Sequence, residues 1–322
     1  MSSVEKESAD AVPVVVEQGS SLWKDAWSRM RKNQLAMASF LFVVLIVFLC
    51  FVVAWFCPNP DTIDLENKFA TPSAAHFLGT DQLGRDILAR TLYGGQISLL
   101  VGFVATAVAL CIGIVYGAIS GFVGGRTDAV MMRTVDTLFA IPFLVIVIVL
   151  QVVIADRTAE MAGWIVEHWG WNKKLTDRMA NIVPLFIALG AFGWLTLGRI
   201  VRAQVLSLRE QEFVEAARSL GLSQARILFR HIIPNTLGPT VVYATLTVPG
   251  FIMYEATLSY LGLGVEAPNS SWGILIRDGA NFLETQPMLL IIPGLFFSLT
   301  LFALNFLGDG LRDALDVRAS KD

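Results

Sequence analysis

Glu215, Ala216, Ala217, Gly221 and Pro234 punctuate a charged segment, EAARSLGLSQARILFRHIIPN at residues 215–235, that lies between two long apolar runs. Residues of these types do recognition rather than covalent chemistry. Phe213, Ala217 and Leu220 recur at helical spacing with Val214 and Ala216 beside them, and Glu212, Glu215 and Arg218 form polar edges. A helix this short is marginal in water, where isolated helices need about 12–15 residues, so its apolar strip requires a covering surface. The small Ala216 and Ala217 allow close approach, which is the condition for helix-in-groove recognition. Gly221 is placed for a left-handed helix stop, Ser223 for capping the next helix, and Pro234 for opening the span that follows.

Two further constellations carry polar chemistry. Glu255 is flanked by Phe251, Ile252, Met253 and Leu258, and a carboxylate in hydrocarbon is costly enough to be a functional candidate. It could bond a neighbouring helix, gate a path or contact a peptide amino terminus. Gly79, Asp81, Gly84, Arg85 and Asp86, in HFLGTDQLGRDILARTLYGG, place two turns beside residues suited to ion pairs and caps; a lid edge without solute contact is the alternative. Catalytic chemistry is missing. No lysine follows a glycine anywhere, so the phosphate-cradling Gly-x-x-x-x-Gly-Lys-Ser/Thr loop is absent and no ATP, or other cofactor, is expected on this chain. His76, His168 and His231 share no ligand-like spacing, so no metal site is expected. Cys50, Cys57 and Cys111 sit in or beside apolar runs and read as small buried hydrophobes. The chain is not expected to be an enzyme.

The elements that must position these residues are membrane spans. Of 322 residues, 55% are hydrophobic and 16% charged, against roughly a quarter charged in soluble domains; mean hydropathy is +0.62. Six uncharged stretches, 35–57, 97–123, 137–155, 181–198, 235–254 and 286–308, approach or exceed the roughly 20 residues a bilayer crossing needs. Placing the N-terminus inside puts 16 Lys and Arg on the cytoplasmic side and 8 outside, so both termini and the 215–235 segment are expected in the cytoplasm. Net charge is −3 with no basic cluster, which argues against nucleic acid. Residues 1–20 read as a disordered tail, and 21–33, with Trp23, Ala26, Trp27 and Met30 at helical spacing, as an interfacial amphipathic helix touching lipid. Gly113, Gly117 and Gly121 form a small-residue ridge for close helix packing, within the chain or to another subunit. Pro142 should kink the third span, Pro249 should interrupt the fifth, and Gly262, Gly264 and Pro268 should make an external re-entrant turn. Arg199 and Arg202 read as snorkelling ends.

The 215–235 segment resembles the EAA loop of ABC-importer permeases, the cytoplasmic segment that docks on the ATPase. Glu215, Ala216, Ala217, Gly221 and Pro234 fall in its register. His231 and Ile233 stand where the general pattern has Ile and Leu, and the HIIPN ending is typical of the family's peptide branch. Residues 76–95 resemble the GTDxxGRD signature of dipeptide and oligopeptide permeases through Gly79, Asp81, Gly84, Arg85 and Asp86. Further similar stretches are 124–136 with Asp128, Arg133 and Asp136, then 255–273, then 305–316. The resemblance runs from about His76 to Arg318, interrupted at 156–178, where the family has a shorter connection. In that insertion MAGWIVEHWGW suggests an external, tryptophan-anchored interfacial helix that could touch a binding protein or cap the pore.

The resemblance implies an all-α integral membrane protein with six transmembrane helices in the MetI-like type I ABC importer permease fold. Residues 1–34 would be a cytoplasmic tail with the interfacial helix, 35–57 the first span and 58–96 an external loop. A five-helix core at 97–310 would carry the insertion 156–178 and the cytoplasmic EAA loop 208–234, with 311–322 a cytoplasmic tail. Implied partners are a homologous second permease, two cytoplasmic ATPases that bind ATP and Mg, an extracytoplasmic solute-binding protein and lipid of the bacterial inner membrane. The segments VVYATLTVP and WGILIRDGAN point to oligopeptides; a relative carrying dipeptides, nickel or another small solute would share the other motifs. A channel, secondary transporter or membrane anchor is the competing class, and the chain lacks the inverted repeats and intramembrane ion pairs a secondary transporter would show.

Overall fold

The computed structural model describes residues 22–315; the expectations for the 1–20 tail and for 316–322 lie outside the described residues. The described chain is helical. Five helices are long and apolar enough to cross a membrane, and a sixth crossing results if a bent pair counts as one span.

Helix α1 (Leu22–Met30) packs one face against the end of the last helix. Ala26 and Met30 are buried against Ala314 and Leu307 of the last helix, while Trp27 stays 39% exposed with the Arg31 guanidinium 5.1 Å from its ring centroid. Helix α2 (Gln34–Phe51) starts where the Asn33 side chain accepts the Ala36 N–H at 3.1 Å. Helix α3 (Ile87–Val123) begins ten residues before the uncharged run at Ile97, because Asp86 caps it by accepting the Ala89 N–H at 2.7 Å. Arg90, in its first turn, finds a buried acidic partner in Asp81.

The third crossing is more than kinked. Helix α4 (Gly125–Phe139) and helix α5 (Phe143–Trp169) meet at 90° around Pro142, which donates no N–H to continue α4's ladder. The 156–178 insertion is not a separate interfacial helix either. Helix α5 runs on to Trp169, Gly170 turns the chain at φ +65°, and helix α6 (Lys173–Leu208) returns antiparallel. Thr158 ties the two by donating to the Ala180 carbonyl at 3.2 Å. Along α5 the exposed Val145, Val149, Val152 and Val153 give way to exposed Asp156, Arg157 and Glu160. The apolar run marks where hydrocarbon contact stops, not where the helix stops.

Helix α7 (Glu212–Ser219), helix α8 (Gln224–Ile227) and a π-helical turn (Leu228–Ile232) lead into helix α9 (Ile233–Tyr260). Pro249 does not interrupt α9. Val248 and Ile252 on either side of it pack against Gly102 of α3, where an added Cβ would meet the Ile252 Cγ1 at 2.5 Å. That packing holds the helix through the missing hydrogen bond. After the turn at 261–270, Ser271 caps helix α10 (Trp272–Ala280), and helix α11 (Met288–Leu315) closes the bundle. Cys50 is buried as expected, whereas Cys111 is exposed.

The α3–α6 contact organises the core. Cβ atoms added at Gly113, Gly117 and Gly121 would lie 2.9 Å from Leu197 Cβ, 2.3 Å from the Gly198 carbonyl and 2.8 Å from the Arg202 carbonyl. The ridge therefore serves packing within the chain. Gly117→Ala should cost about 1–3 kcal/mol, because a backbone oxygen cannot rotate away, and Gly117→Leu should abolish monodisperse protein in detergent. Gly250→Ala, with nothing within 4 Å of the new methyl, should be indistinguishable from the parent in size-exclusion profiles before and after heating.

Candidate functional site

At one end of the bundle, α7 is bound to the chain by a single face. Val214 and Ala217 are buried among Val201 and Val205 of α6, Ile227, Leu228 and Ile232. The strip Phe213–Ala217–Leu220 is thus not one exposed face. Ala217 turns inward, because the end of α6 supplies an apolar wall at i and i+3 of α7. Phe213 at 39%, Ala216 and Leu220 at 80% exposure remain on the open side, with Phe229 at 60% nearby. Glu215 is also exposed.

Gly221 stops α7 at φ +74°. The Leu222 N–H bonds the Ala217 carbonyl at 3.2 Å and the Gly221 N–H the Arg218 carbonyl at 2.9 Å, the paired bonds of a Schellman stop. Ser223 caps α8 as expected, accepting the Arg226 N–H at 3.4 Å. Pro234 sits in the first turn of α9. The π-turn before it carries the chain past a residue with no N–H, and the Asn235 amide bonds the His231 carbonyl at 2.6 Å.

Arg199 and Arg202 both carry ion pairs. Arg202 clamps the Asp128 carboxylate of α4, with one contact at 2.6 Å, and Ser120 donates to the same group. Arg199 bonds Asp136 at 2.7 Å and lies 4.1 Å over the Phe139 ring. Arg209 donates to the Gly121 carbonyl at 3.0 Å. Helices α4 and α6 are thereby joined immediately before the chain enters α7. Asp128, Asp136, Arg199 and Arg202 are each visible in the sequence, but their pairing is not.

Beside this joint, the α4–α5 break opens an apolar cleft of about 340 Å³ against α6 and α9, walled by Phe139, Pro142, Phe143, Phe192, Phe251 and Tyr254.

The opposite end holds the Gly79–Asp86 constellation. Gly79 and Gly84 have φ of +80° and +72°, and a Cβ at Gly84 would fall 1.7 Å from the Asp64 carbonyl. Asp81, 2% exposed, accepts from the Leu83 and Arg85 N–H groups at 2.8 and 2.9 Å, from Arg85 Nε at 2.8 Å and from Arg90 Nη1 at 2.7 Å. The buried Arg90 also faces Asp278 of α10 at 3.7 Å. Asp86 accepts the α3 cap bond and lies 3.0 Å from His76 Nδ1. In the same loop Asp64 is held below the usual carboxylate range by the Asn67 side-chain amide and the Glu66 N–H.

Glu255 is fully buried, with Ser98 and Ser259 hydroxyls donating at 2.8 and 2.7 Å and Ser271 bonding it as well. Ser98 also accepts the Trp272 N–H at 3.2 Å. The carboxylate joins α3, α9 and α10 and lines none of the clefts described here, so of its candidate roles the geometry matches the inter-helix bond. Glu255→Ala should strand these hydroxyls and cost about 1–3 kcal/mol, read as a lower thermal midpoint in detergent, while Glu255→Gln should retain most of the stability. Loss of transport at unchanged stability would instead reveal a pathway role.

Residues 113–321 match the family of binding-protein-dependent transport system inner membrane components, and residues 21–72 match the N-terminal TM domain of oligopeptide transport permease C. The chain is 45% identical over 311 residues to an oligopeptide transport system permease protein OppC of Haemophilus influenzae, covering 96% of this chain and 92% of that protein. It is 42% identical over 308 residues to the OppC of Bacillus subtilis, covering 95% and 93%. A dipeptide transport system permease protein DppC of Bacillus subtilis is 40% identical over 299 residues, covering 92% and 86%.

Proposed function

Because the chain belongs to the family of binding-protein-dependent transport system inner membrane components, and is therefore a multi-pass membrane permease, we propose that it forms half of the pathway of an ATP-driven importer for oligopeptides. The other half is a homologous permease. Two cytoplasmic ATPases bind ATP and Mg, and an extracytoplasmic binding protein delivers the solute. Both termini lie in the cytoplasm, and this chain holds no cofactor of its own.

The open face of α7 carries the reading: Phe213, Ala216 and Leu220 stay uncovered on a short helix whose other face and stop are fixed by its own bundle. A groove on one of the ATPases covers that face in the helix-in-groove manner, and the second ATPase docks likewise on the partner permease. When ATP draws the ATPases together, α7 moves with the end of α6. The Asp128–Arg202 and Asp136–Arg199 pairs pass that movement to α4. The apolar cleft at the α4–α5 break lies next in line and opens or closes toward the partner permease.

The substrate follows the relatives named for oligopeptides; a dipeptide importer is the second reading, favoured by the 40% identical relative. The test is uptake of labelled di-, tri- and pentapeptides by the four-component transporter with its binding protein, reconstituted in liposomes. Preference for the longer peptides supports the first reading. Uptake of dipeptides alone supports the second, and no peptide uptake rejects both.

A further inference from the structure

The Gly79–Asp86 end of the bundle contains a polar cleft that the coupling reading does not use. It holds about 450 Å³ between the loop after α2, the start of α3, the turn after α9, and α10, and its lining includes Asp61, Arg85, Glu266, Ser270, Arg277 and Asp278. Small-ligand sites fall in roughly the 300–1,000 Å³ range. Much of the wall is already committed. Arg85 and Arg90 hold Asp81, Arg90 also reaches Asp278, and Asp61 is held by Arg178. Asn269 is fixed by its bond to the Arg178 carbonyl at 2.9 Å.

Two exposed groups remain available, and one buried hydroxyl is unpartnered. Glu266 is exposed, and its carboxylate has no hydrogen bond or ion pair among the described residues. The Arg277 side chain is 40% exposed and is held only by Asp278 at 3.5 Å and the Ser259 carbonyl at 3.3 Å. Ser270 is 3% exposed, yet its Oγ lacks a partner among the described residues. Buried polar atoms are rarely left unpaired without a reason. The cleft lining therefore offers an exposed anionic group and an exposed cationic group, with an unpartnered hydroxyl buried in the same lining.

We infer that this cleft is a receiving subsite for a short peptide with free termini. Glu266 takes the α-ammonium and Arg277 the carboxylate. A ligand carrying a single charge would leave one of the two groups unmatched. The inference rests on the peptide-importer reading and adds to it a place on the permease where cargo pauses after leaving the binding protein.

The test uses the detergent-solubilised complex of both permeases and both ATPases, without binding protein, titrated with trialanine and followed by saturation-transfer NMR. Saturable binding is expected, about tenfold weaker for N-acetyl-trialanine and in Glu266→Gln, and about tenfold weaker for trialanine amide and in Arg277→Gln, each from the loss of one charge-assisted bond. Glu266 has no partner to lose, so Glu266→Gln carries the test if Arg277→Gln fails to assemble. No saturable binding to a complex that imports trialanine once reconstituted with its binding protein overturns the inference alone. Binding unaffected by either variant does the same. If the variants instead weaken only capture of the binding protein, the cleft is a protein seat and the inference is wrong. Failure of the reconstituted parent to import any peptide removes the importer reading and the inference with it.

Discussion

Gly221→Asp and Glu215→Lys should abolish peptide uptake while leaving the chain in the membrane at normal abundance. Each replaces an exposed residue at the rim of the open α7 face and leaves the buried Val214–Ala217 side untouched. Gly221 needs φ +74°, but nothing lies within 4 Å of an added Cβ. The penalty for fold is therefore conformational, about 1–2 kcal/mol for an ordinary residue and less for Asp, which tolerates the left-handed region. The penalty for docking is larger, because an unpaired charge at a helix-in-groove contact is desolvated on binding. A truncation at a dominant interface residue costs 2 kcal/mol or more, which is about thirtyfold in affinity. Uptake in reconstituted liposomes, ATPase co-purification and membrane abundance should be measured together. Gly221→Ala separates the terms, since it has the strained φ without the charge and should keep most uptake. Normal uptake in both charged variants at normal abundance would remove the coupling role from α7.

Asp81→Ala should be the most destabilising single change at the opposite end. It removes the acceptor of four hydrogen bonds and leaves the Arg90 guanidinium, in a residue 6% exposed, facing only Asp278 at 3.7 Å. Breaking a buried ion pair from one side costs about 3–5 kcal/mol. Asp81→Asn should recover little, because its Oδ1 can accept the Leu83 and Arg85 N–H groups while its NH2 would point at the Arg85 and Arg90 donors. Replacing both partners, as Asp81→Ala with Arg90→Met, should be more stable than Asp81→Ala alone. Survival of monodisperse complex after heating is the measurement. Equal heat resistance of Asp81→Ala and the parent would show that this network does not hold the end together.

The features readable in the sequence were those fixed by neighbouring residues. Gly221 and Ser223 mark a stop and a cap whose bonds reach at most five positions along the chain, and the glycine ridge repeats along one helix face. What was hidden depends on distant partners. Arg202 and Asp128 are 74 positions apart, and Ser98 and Glu255 are 157 apart, so pairing cannot be seen from spacing. Ala217 turned inward because the end of α6 built a wall beside it. The extent of α5 was underestimated for another reason: Asp156 and Arg157 end an apolar run, while helix geometry continues through both residues to Trp169. Pro249 shows the same override, with packing on Gly102 outweighing a lost backbone bond.

The glycine ridge also constrains where this protein can bend. With Gly117 of α3 backed directly onto the Gly198 carbonyl of α6, the two backbones interlock like gear teeth, and neither helix can slide by a residue without a collision. Because α7 is seated on the end of α6, the pair forms a stiff beam from the α7 end deep into the bundle. Shape change during a transport cycle must then concentrate at the Pro142 elbow, the junction that meets at a right angle with an open cleft in its crook.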